Sequence, residues 1–442
     1  MYGLCHAFRT SLSLFLFSLP NLLQCDSCFC PFALYAFFAV TFVLSLPAYP
    51  IWFLPLLIIN FVYRLDRCDN KKLGYVRQSP SRAISNMQGQ ADALTPKAQR
   101  VAAGETYFYR EHRKPQVETS YRIRVISGTA NYALSESVAK YLKVDLCRTE
   151  IKRFANGELN IKVVDDVRGD DCFILQPIAA NEHTDINTAM MELLLLVHTL
   201  KLSSAKRITA IVPYFAYSRQ DRKTEPRVPI SASAVAQLLQ CMGVDRVVTV
   251  DLHCGQIQGF FRNMPVDNLL MFPEFATYVM RQPWFDRERT VVVSPDAGGV
   301  ERANVLADRI GASHIVTILK RRSGPGKVDS MQTVGNVEGY TCVIVDDIVD
   351  TAGTLCKACE LLRDMGALRL VACATHGILT DPACERISQC DALTELVVSD
   401  SIAQNINSQK CNKLTVLTIA PLLVQAIYNL HFECSLSSLF RT

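Results

Sequence analysis

The sequence predicts an α/β protein of two similar halves, each a mostly parallel sheet flanked by helices. Two observations carry this expectation. Short β-branched runs alternate with longer segments of helical period from Tyr121 onward, and polar residues gather just after the apolar runs. In order, the spacing predicts strands over residues 123–126, 172–176, 207–212 and 247–251 in the first half. In the second half it predicts strands over 290–294, 314–319, 342–346 and 370–375. Helices are expected over 188–202, 231–242, 298–310 and 353–365, where apolar residues recur at the 3.6-residue period. The halves divide near Met271 to Glu274, giving domains of 121–272 and 273–442 after a hydrophobic extension, 1–72, and a polar linker, 73–120, rich in Gln, Ser and Pro.

With 442 residues, 49% hydrophobic and 20% charged, the chain can bury sizeable cores. The formal net charge of +4 is small, and no Lys/Arg stripe with interleaved aromatics occurs, which argues against a nucleic-acid partner. Beyond Cys68 the cysteines stand singly in apolar segments (Cys147, Cys172, Cys241, Cys342, Cys373), as reduced core cysteines do, and this fits a reducing compartment. Cys356 and Cys359 have metal or redox spacing but lie in an apolar helical pattern, so a core helix is expected there.

The extension is different. No charged residue occurs from Ser27 to Tyr63, and two apolar runs, 32–46 and 51–63, are interrupted by Pro47, Pro50 and Pro55. Neither alone reaches the ~20 residues of a spanning helix, although a bent segment or hairpin could. Arg64, Arg67, Lys71 and Lys72 follow, and would keep the downstream domain on the cytoplasmic side. Three readings stand: a membrane anchor through residues 32–63, an organellar targeting extension, or a translation start placed upstream of Met87. Cys25, Cys28 and Cys30 could be lipidated or bind metal. The expected compartment is the cytoplasm, with an organelle or membrane as the alternative.

In parallel sheets, ligands sit beyond the carboxyl ends of the strands. Four predicted strand ends carry Asp251-Leu-His253, Ser294-Pro-Asp296-Ala-Gly-Gly299, Lys320-Arg-Arg322 and Asp346-Asp347. The strongest signal runs from Val343 to Thr354: an apolar strand, an acidic pair, then Asp350-Thr351-Ala352-Gly353-Thr354 entering a helix. Small residues let backbone N–H groups approach a phosphate, the helix N-terminus favours its charge, and Thr351 and Thr354 add hydroxyl donors. The paired carboxylates can hold sugar hydroxyls directly or through a metal. No P-loop Lys is present, so the segment reads as a sugar-phosphate cradle. A merely capped helix would explain the Thr and Gly residues but not Asp346 and Asp347.

On these motifs the chain resembles type I phosphoribosyltransferase-like proteins, and the others narrow the resemblance to ribose-phosphate pyrophosphokinases over about residues 123–440. The resemblance implies two phosphoribosyltransferase-like domains and transfer of the β,γ-diphosphate of Mg-ATP to ribose 5-phosphate, with Mg2+ as cofactor. It also implies a homo-oligomer, in this family a hexamer. Phe154-Ala-Asn156-Gly-Glu158 and Arg219-Gln220-Asp221 resemble its two ATP-binding segments. By that resemblance Phe154 stacks on adenine, Asn156 and Glu158 bond it, and Arg219 and Gln220 hold base and phosphates; aromatic and Arg groups suit such a ligand. Asp251-Leu-His253-x-x-Gln256-Ile-Gln-Gly259-Phe-Phe261 is highly specific to the family, making His253 and Asp296 metal candidates with Asp251 behind them.

Lys320 and Arg322 match the family's main catalytic cations, beside a Ser323-Gly-Pro-Gly-Lys327 stretch suited to a lid. The ribose 5-phosphate site is expected at Asp346, Asp347, Asp350, Thr351, Ala352, Gly353 and Thr354. Two departures stand out. Arg262-Asn263-Met264 replaces a usual Asp, with Asp267 following, and Asp166 stands where Ser is common beside the regulatory matches Arg168, Ser435 and Ser437. An acid there would repel phosphate, which sets inherited regulation in question. The rivals are a catalytically silent subunit of the same fold, an ordinary phosphoribosyltransferase, and a membrane-tethered interaction protein.

Overall fold

The computed structural model describes residues 121–324 and 327–439, except for the side chains of residues 320–331 and Ser438. The apolar runs, the basic cluster, Cys25, Cys28, Cys30, Met87 and the linker lie outside the described residues. Among the described residues, no helix is long and apolar enough to cross a membrane. All of them belong to one compact unit, residues 92–442.

Two sheets build the fold. The first has strands β1 (Ile123–Ser127), β2 (Leu146–Cys147), β5 (Asp171–Leu175), β6 (Arg207–Val212), β7 (Arg246–Val250) and β8 (Val266–Leu269) in the order β2-β1-β5-β6-β7-β8, all parallel. The second has β9 (Thr290–Ser294), β10 (Ile315–Gly324), β11 (Lys327–Val334), β12 (Thr341–Val349), β13 (Arg369–Gly377), β14 (Glu395–Ser399) and β15 (Leu414–Leu417) in the order β11-β10-β9-β12-β13-β14-β15. Only β11 pairs antiparallel there. A separate antiparallel hairpin, β3 (Thr149–Arg153) with β4 (Leu159–Val163), projects between β2 and β5 in sequence. The α/β expectation with two parallel-sheet halves holds.

The helices follow from local signals. α2 (Ile186–Leu202) starts where the Asp185 side chain accepts hydrogen bonds from the Asn187 and Thr188 N–H groups. α3 (Ser231–Met242) ends at Gly243, whose φ of +88° lies in the left-handed region that glycine enters at little cost. α5 (Val300–Ile310) buries Ala303, Leu306, Ala307 and Ile310, the i, i+3, i+4, i+7 stripe of a half-buried helix. With α1 (Tyr132–Leu142), α4 (Phe272–Met280) and the C-terminal α9 (Ala420–His431), α5 fills a core shared by both sheets, containing Val125, Phe173, Phe275, Val292, Leu306, Val345 and Leu423. α2 and α3 cover the far face of the first sheet. The far face of the second is covered by α6 (Gly353–Asp364) and α7 (Ala383–Gln389), beyond which lies the short α8 (Asn405–Lys410).

Three expectations change. β12 does not stop at the acidic pair: it pairs with β13 as far as Val349 opposite Gly377, because parallel pairing continues while β13 supplies a partner. The strand expected over 314–319 runs on to Gly324, continuing β10 in a hairpin with β11 whose register shifts around Arg322. Cys241 is exposed, because it lies off the buried stripe of α3, which is Ala232, Val235, Ala236 and Leu239. The other single cysteines, and Cys356 and Cys359, are buried free thiols.

The C-terminal helix returns to the first sheet. His431 Nδ1 lies 2.9 Å from Asp171 Oδ2, Arg207 Nε donates to Asp171 Oδ1 at 2.9 Å, and Arg207 Nη2 donates to the Leu430 carbonyl at 3.0 Å. Burial pushes the Asp171 carboxyl up, but hydrogen bonds from His431 and Arg207 outweigh it and hold it below the ordinary carboxylate range. Because its folded-state value is depressed, its contribution is present above about pH 4 and lost as pH falls. Asp171→Asn, which removes the carboxylate charge opposite Arg207, is expected to cost about 3 kcal/mol, read as a lower urea midpoint at neutral pH with a smaller difference from the parent near pH 3.

Candidate active site

The carboxyl ends of β7, β9 and β12 open onto one cavity of about 1200 Å3, lined among others by Arg219, Asp221, His253, Asp296, Asp347 and Thr351. His253 and Asp296 follow the ends of β7 and β9, Asp347 stands within β12, and Thr351 follows its end. Asp251 follows β7 with a φ of +50°, and its N–H donates to the Leu269 carbonyl at 2.8 Å. This left-handed turn aims the chain from the first sheet toward the second. His253, two residues on, places Nδ1 2.7 Å from Asp347 Oδ2 on β12. Thus residues 94 apart in sequence, one from each half, share a hydrogen bond.

Arg302, on the first turn of α5, holds this junction. Its Nη2 donates to the Leu252 and His253 carbonyls, both at 3.0 Å. Its Nη1 lies 3.5 Å from Asp347 Oδ1 and its Nε 3.8 Å from Asp251 Oδ1. Asp251 also accepts from the Thr375 hydroxyl. Burial lifts the fully enclosed Asp251 carboxyl to about 6, against the pull of Arg302 and Thr375. The neighbouring His376 is fully buried; burial lowers it to about 4, so it is neutral at pH 7. Its Nε2 donates to the Val250 carbonyl at 3.0 Å and its Nδ1 accepts from the Ser401 hydroxyl at 2.8 Å. That neutral tautomer ties β13 to the end of β7.

The acidic pair is split by its surroundings. Burial and the adjacent Asp347 charge push Asp346 well above the carboxylate range. Burial also penalises Asp347, but the hydrogen bond with His253 and the Arg302 charge more than offset it and hold Asp347 well below that range. The two carboxyls are therefore driven in opposite directions, Asp346 toward holding its proton more tightly and Asp347 toward the ionised acceptor form.

Beyond β12, Ala352 adopts a φ of +57° and starts α6, whose first turn has no side-chain cap. Its N–H groups are left for an external anion, the arrangement that suits a phosphate. Arg219 Nη2 pairs with Asp350 Oδ2 at 2.9 Å, so the cavity joins the first half's Arg219-Gln220-Asp221 segment to the cradle. Gln220 braces that segment instead of facing the cavity: its N–H donates to the Tyr217 carbonyl at 2.9 Å and its side chain accepts from the Ser231 hydroxyl.

Asp296 lines the cavity and accepts, through Oδ1, from the N–H groups of Gly298 and Gly299 at 3.0 and 3.1 Å. No group of three or more His, Cys, Asp or Glu residues that could hold a metal alone occurs among the described residues. The donors present still suit a hard cation carried in with a polyphosphate, which needs only one or two protein ligands. A His oriented by a carboxylate on its other nitrogen, as His253 is by Asp347, is a common ligand arrangement. Asp267 is elsewhere: it pairs with Arg246 on the neighbouring strand at 2.5 Å, while the Arg262 and Asn263 N–H groups are held by Gln240 Oε1 at 3.0 and 3.4 Å.

Phe154, Asn156 and Glu158 are not brought to this cavity. They form the tip of the β3–β4 hairpin, where Gly157 takes a φ of +92°, Asn156 Oδ1 accepts from the Glu158 N–H at 3.2 Å, and Phe154 is 54% exposed. Glu158 instead borders a separate cavity of about 500 Å3 against Asn187, Thr188 and Met191 of α2. The backbones of Lys320 and Arg322 lie on β10, directly after the cavity residue Leu319; their side chains are outside the described residues. Arg168 and Asp166 share a tight turn, with the Arg168 N–H on Asp166 Oδ1 at 3.1 Å. Ser435 and Ser437 follow α9, with the Ser437 N–H on Ser435 Oγ at 3.1 Å.

Sequence reasoning missed Arg302, Thr375 and His376. Thr375-His376 ends an apolar strand, as the recognised motifs do, and that position was a usable signal. Arg302 gave none, since a charged residue on an amphipathic helix ordinarily faces water.

Comparison with known proteins adds to this geometry. Residues 123–243 match the family model described as the N-terminal domain of ribose phosphate pyrophosphokinase, and residues 313–441 match the phosphoribosyl synthetase-associated domain. The ribose-phosphate pyrophosphokinase of Nitrosomonas europaea is 44% identical over 319 residues, covering 72% of this chain and 98% of that protein. That of Caulobacter vibrioides is 44% identical over 319 residues, covering 72% of this chain and all of that protein. The crystal structure of phosphoribosylpyrophosphate synthetase from Mycobacterium smegmatis superposes with a TM-score of 0.64 at 40% identity, covering 70% of this chain and 98% of that one.

Proposed function

Since this chain belongs to the ribose-phosphate pyrophosphokinase family, we propose that it transfers the β,γ-diphosphate of Mg-ATP to the 1-hydroxyl of ribose 5-phosphate, giving 5-phosphoribosyl 1-pyrophosphate and AMP for nucleotide biosynthesis. One observation carries the reading: the cradle of the second half and the Arg219–His253 face of the first half line a single cavity. A sugar phosphate and a nucleotide therefore have adjoining places, as a two-substrate transfer requires.

The uncapped first turn of α6, with Thr351 and Thr354, takes the 5-phosphate, while Asp346 and Asp347 hold the ring hydroxyls. The sugar's O1 then faces the β-phosphorus in line with the bridging oxygen to the AMP leaving group; the O1–P bond forms as that bridge breaks, its electron pair leaving on AMP and the O1 proton passing to water. Arg219 and Asp221 hold the nucleotide from the first half. Lys320 and Arg322, on the hairpin that rises from the cavity wall, neutralise charge on the diphosphoryl group in transit. Mg2+, with His253 and Asp296 as its protein neighbours and Asp251 behind, supplies further charge neutralisation when bound.

The exposed Phe154 on a hairpin outside this cavity favours a homo-oligomer, a hexamer by family resemblance, in which the hairpin of one copy completes the nucleotide site of another. The buried free thiols favour a reducing compartment, the cytoplasm in this proposal. The boundaries 121–272 and 273–442 remain our division of the halves, with α9 crossing back.

The test is product analysis with the purified protein, Mg-ATP and ribose 5-phosphate. AMP and 5-phosphoribosyl 1-pyrophosphate are expected in equal amounts. A folded, ATP-binding protein that forms neither would replace this reading by the silent-subunit one.

A further inference from the structure

We infer that Arg386, on α7, is a positioning residue for ribose 5-phosphate: it fixes the Thr351–Ala352 peptide of the cradle and brings a positive charge to its outer side. This deepens the reading above and rests on it.

The geometry lies outside the cavity wall. Arg386 Nη1 donates to the Thr351 carbonyl at 2.9 Å and lies 3.5 Å from where a Cβ on Gly353 would stand. Its own carbonyl accepts from Cys356 Sγ at 3.7 Å, so α7 is tied both to the loop and to the helix that the loop begins. In a trans peptide the C=O and the following N–H point in opposite directions. Holding the Thr351 C=O toward Arg386 therefore turns the Ala352 N–H away from it, on the side where Thr351, Ala352 and Gly353 line the cavity.

Ala352 needs such support. A left-handed φ of +57° on a residue with a Cβ is disfavoured and persists where neighbours over-determine it. Here one constraint is the Cys356 N–H on the Ala352 carbonyl at 3.0 Å, and the other is Arg386 on the preceding carbonyl. Charge adds a second reason. The cradle carries Asp346, Asp347 and Asp350, Arg219 is engaged with Asp350, and a phosphate dianion brings two more negative charges. The guanidinium beside Gly353 meets that charge where the helix begins.

The experiment compares Arg386→Ala, Arg386→Gln and Arg386→Lys with the parent in the full chain. KM for ribose 5-phosphate is expected to rise about tenfold or more in Arg386→Ala, with KM for ATP and the unfolding midpoint little changed. Arg386→Lys, which keeps the charge, should recover most of the loss, and Arg386→Gln, which keeps a donor, only part. An unchanged KM for ribose 5-phosphate, or equal rises in both KM values, would overturn the assignment.

Calorimetric titration of ribose 5-phosphate without ATP separates the two layers. If the parent binds the sugar phosphate but makes no product, weaker binding by Arg386→Ala upholds the inference and removes the reaction. If the parent does not bind it, both fall.

Discussion

Alanine at Lys320 or at Arg322 is expected to lower kcat by about 10³-fold or more while moving the ATP dissociation constant only severalfold. Phosphoryl transfer asks little covalent chemistry of a protein. Its barrier falls when the reactants are aligned and the charge spread over the transferred group is met by fixed cations. Both residues stand on β10, whose residue Leu319 already lines the cavity, and the antiparallel pairing with β11 carries the chain beyond the sheet's end. Single-turnover measurement of AMP release, beside equilibrium ATP binding, separates transition-state loss from ground-state loss. Equal losses in turnover and ATP affinity would show that these cations serve nucleotide binding instead of the transfer.

Asp347→Asn should be nearly as severe, with kcat/KM falling about 10²-fold or more and the half-saturating Mg2+ concentration rising about tenfold. Asp347 does three things that an amide does poorly. It accepts from His253 at 2.7 Å, it balances Arg302, and its charge adds to burial in pushing the Asp346 carboxyl up. Asparagine keeps the shape and one acceptor but removes the nearer of the two carboxylates that pair with Arg302, leaving Asp251 at 3.8 Å. Steady-state kinetics in ribose 5-phosphate and Mg2+ check this. A variant within a few-fold of the parent in both would remove Asp347 from the sugar site and leave it a purely structural partner of Arg302.

The primary sequence by itself determined the class and most of the parallel strands. Strands over 207–212 and 290–294, and the helix over 231–242, were legible to the residue, because apolar period and flanking turn residues are local properties. It also placed Asp251-Leu-His253 and Asp296 just after strand ends, since a polar motif after a buried run needs no partner to be recognised, whereas Asp346 and Asp347 proved to lie within β12. What only the tertiary structure decided depends on which strands lie side by side. The continuation of β12 to Val349 exists because β13 runs beside it, and the meeting of His253 with Asp347 exists because two sheets end at one cavity. The exposed hairpin of Phe154, the turn of α9 back to Asp171, and the contacts of Arg302 and Arg386 are of the same kind. A buried guanidinium and a solvated one look alike in a helical pattern. Only the elements packed around it decide whether its charge faces water or a carboxylate.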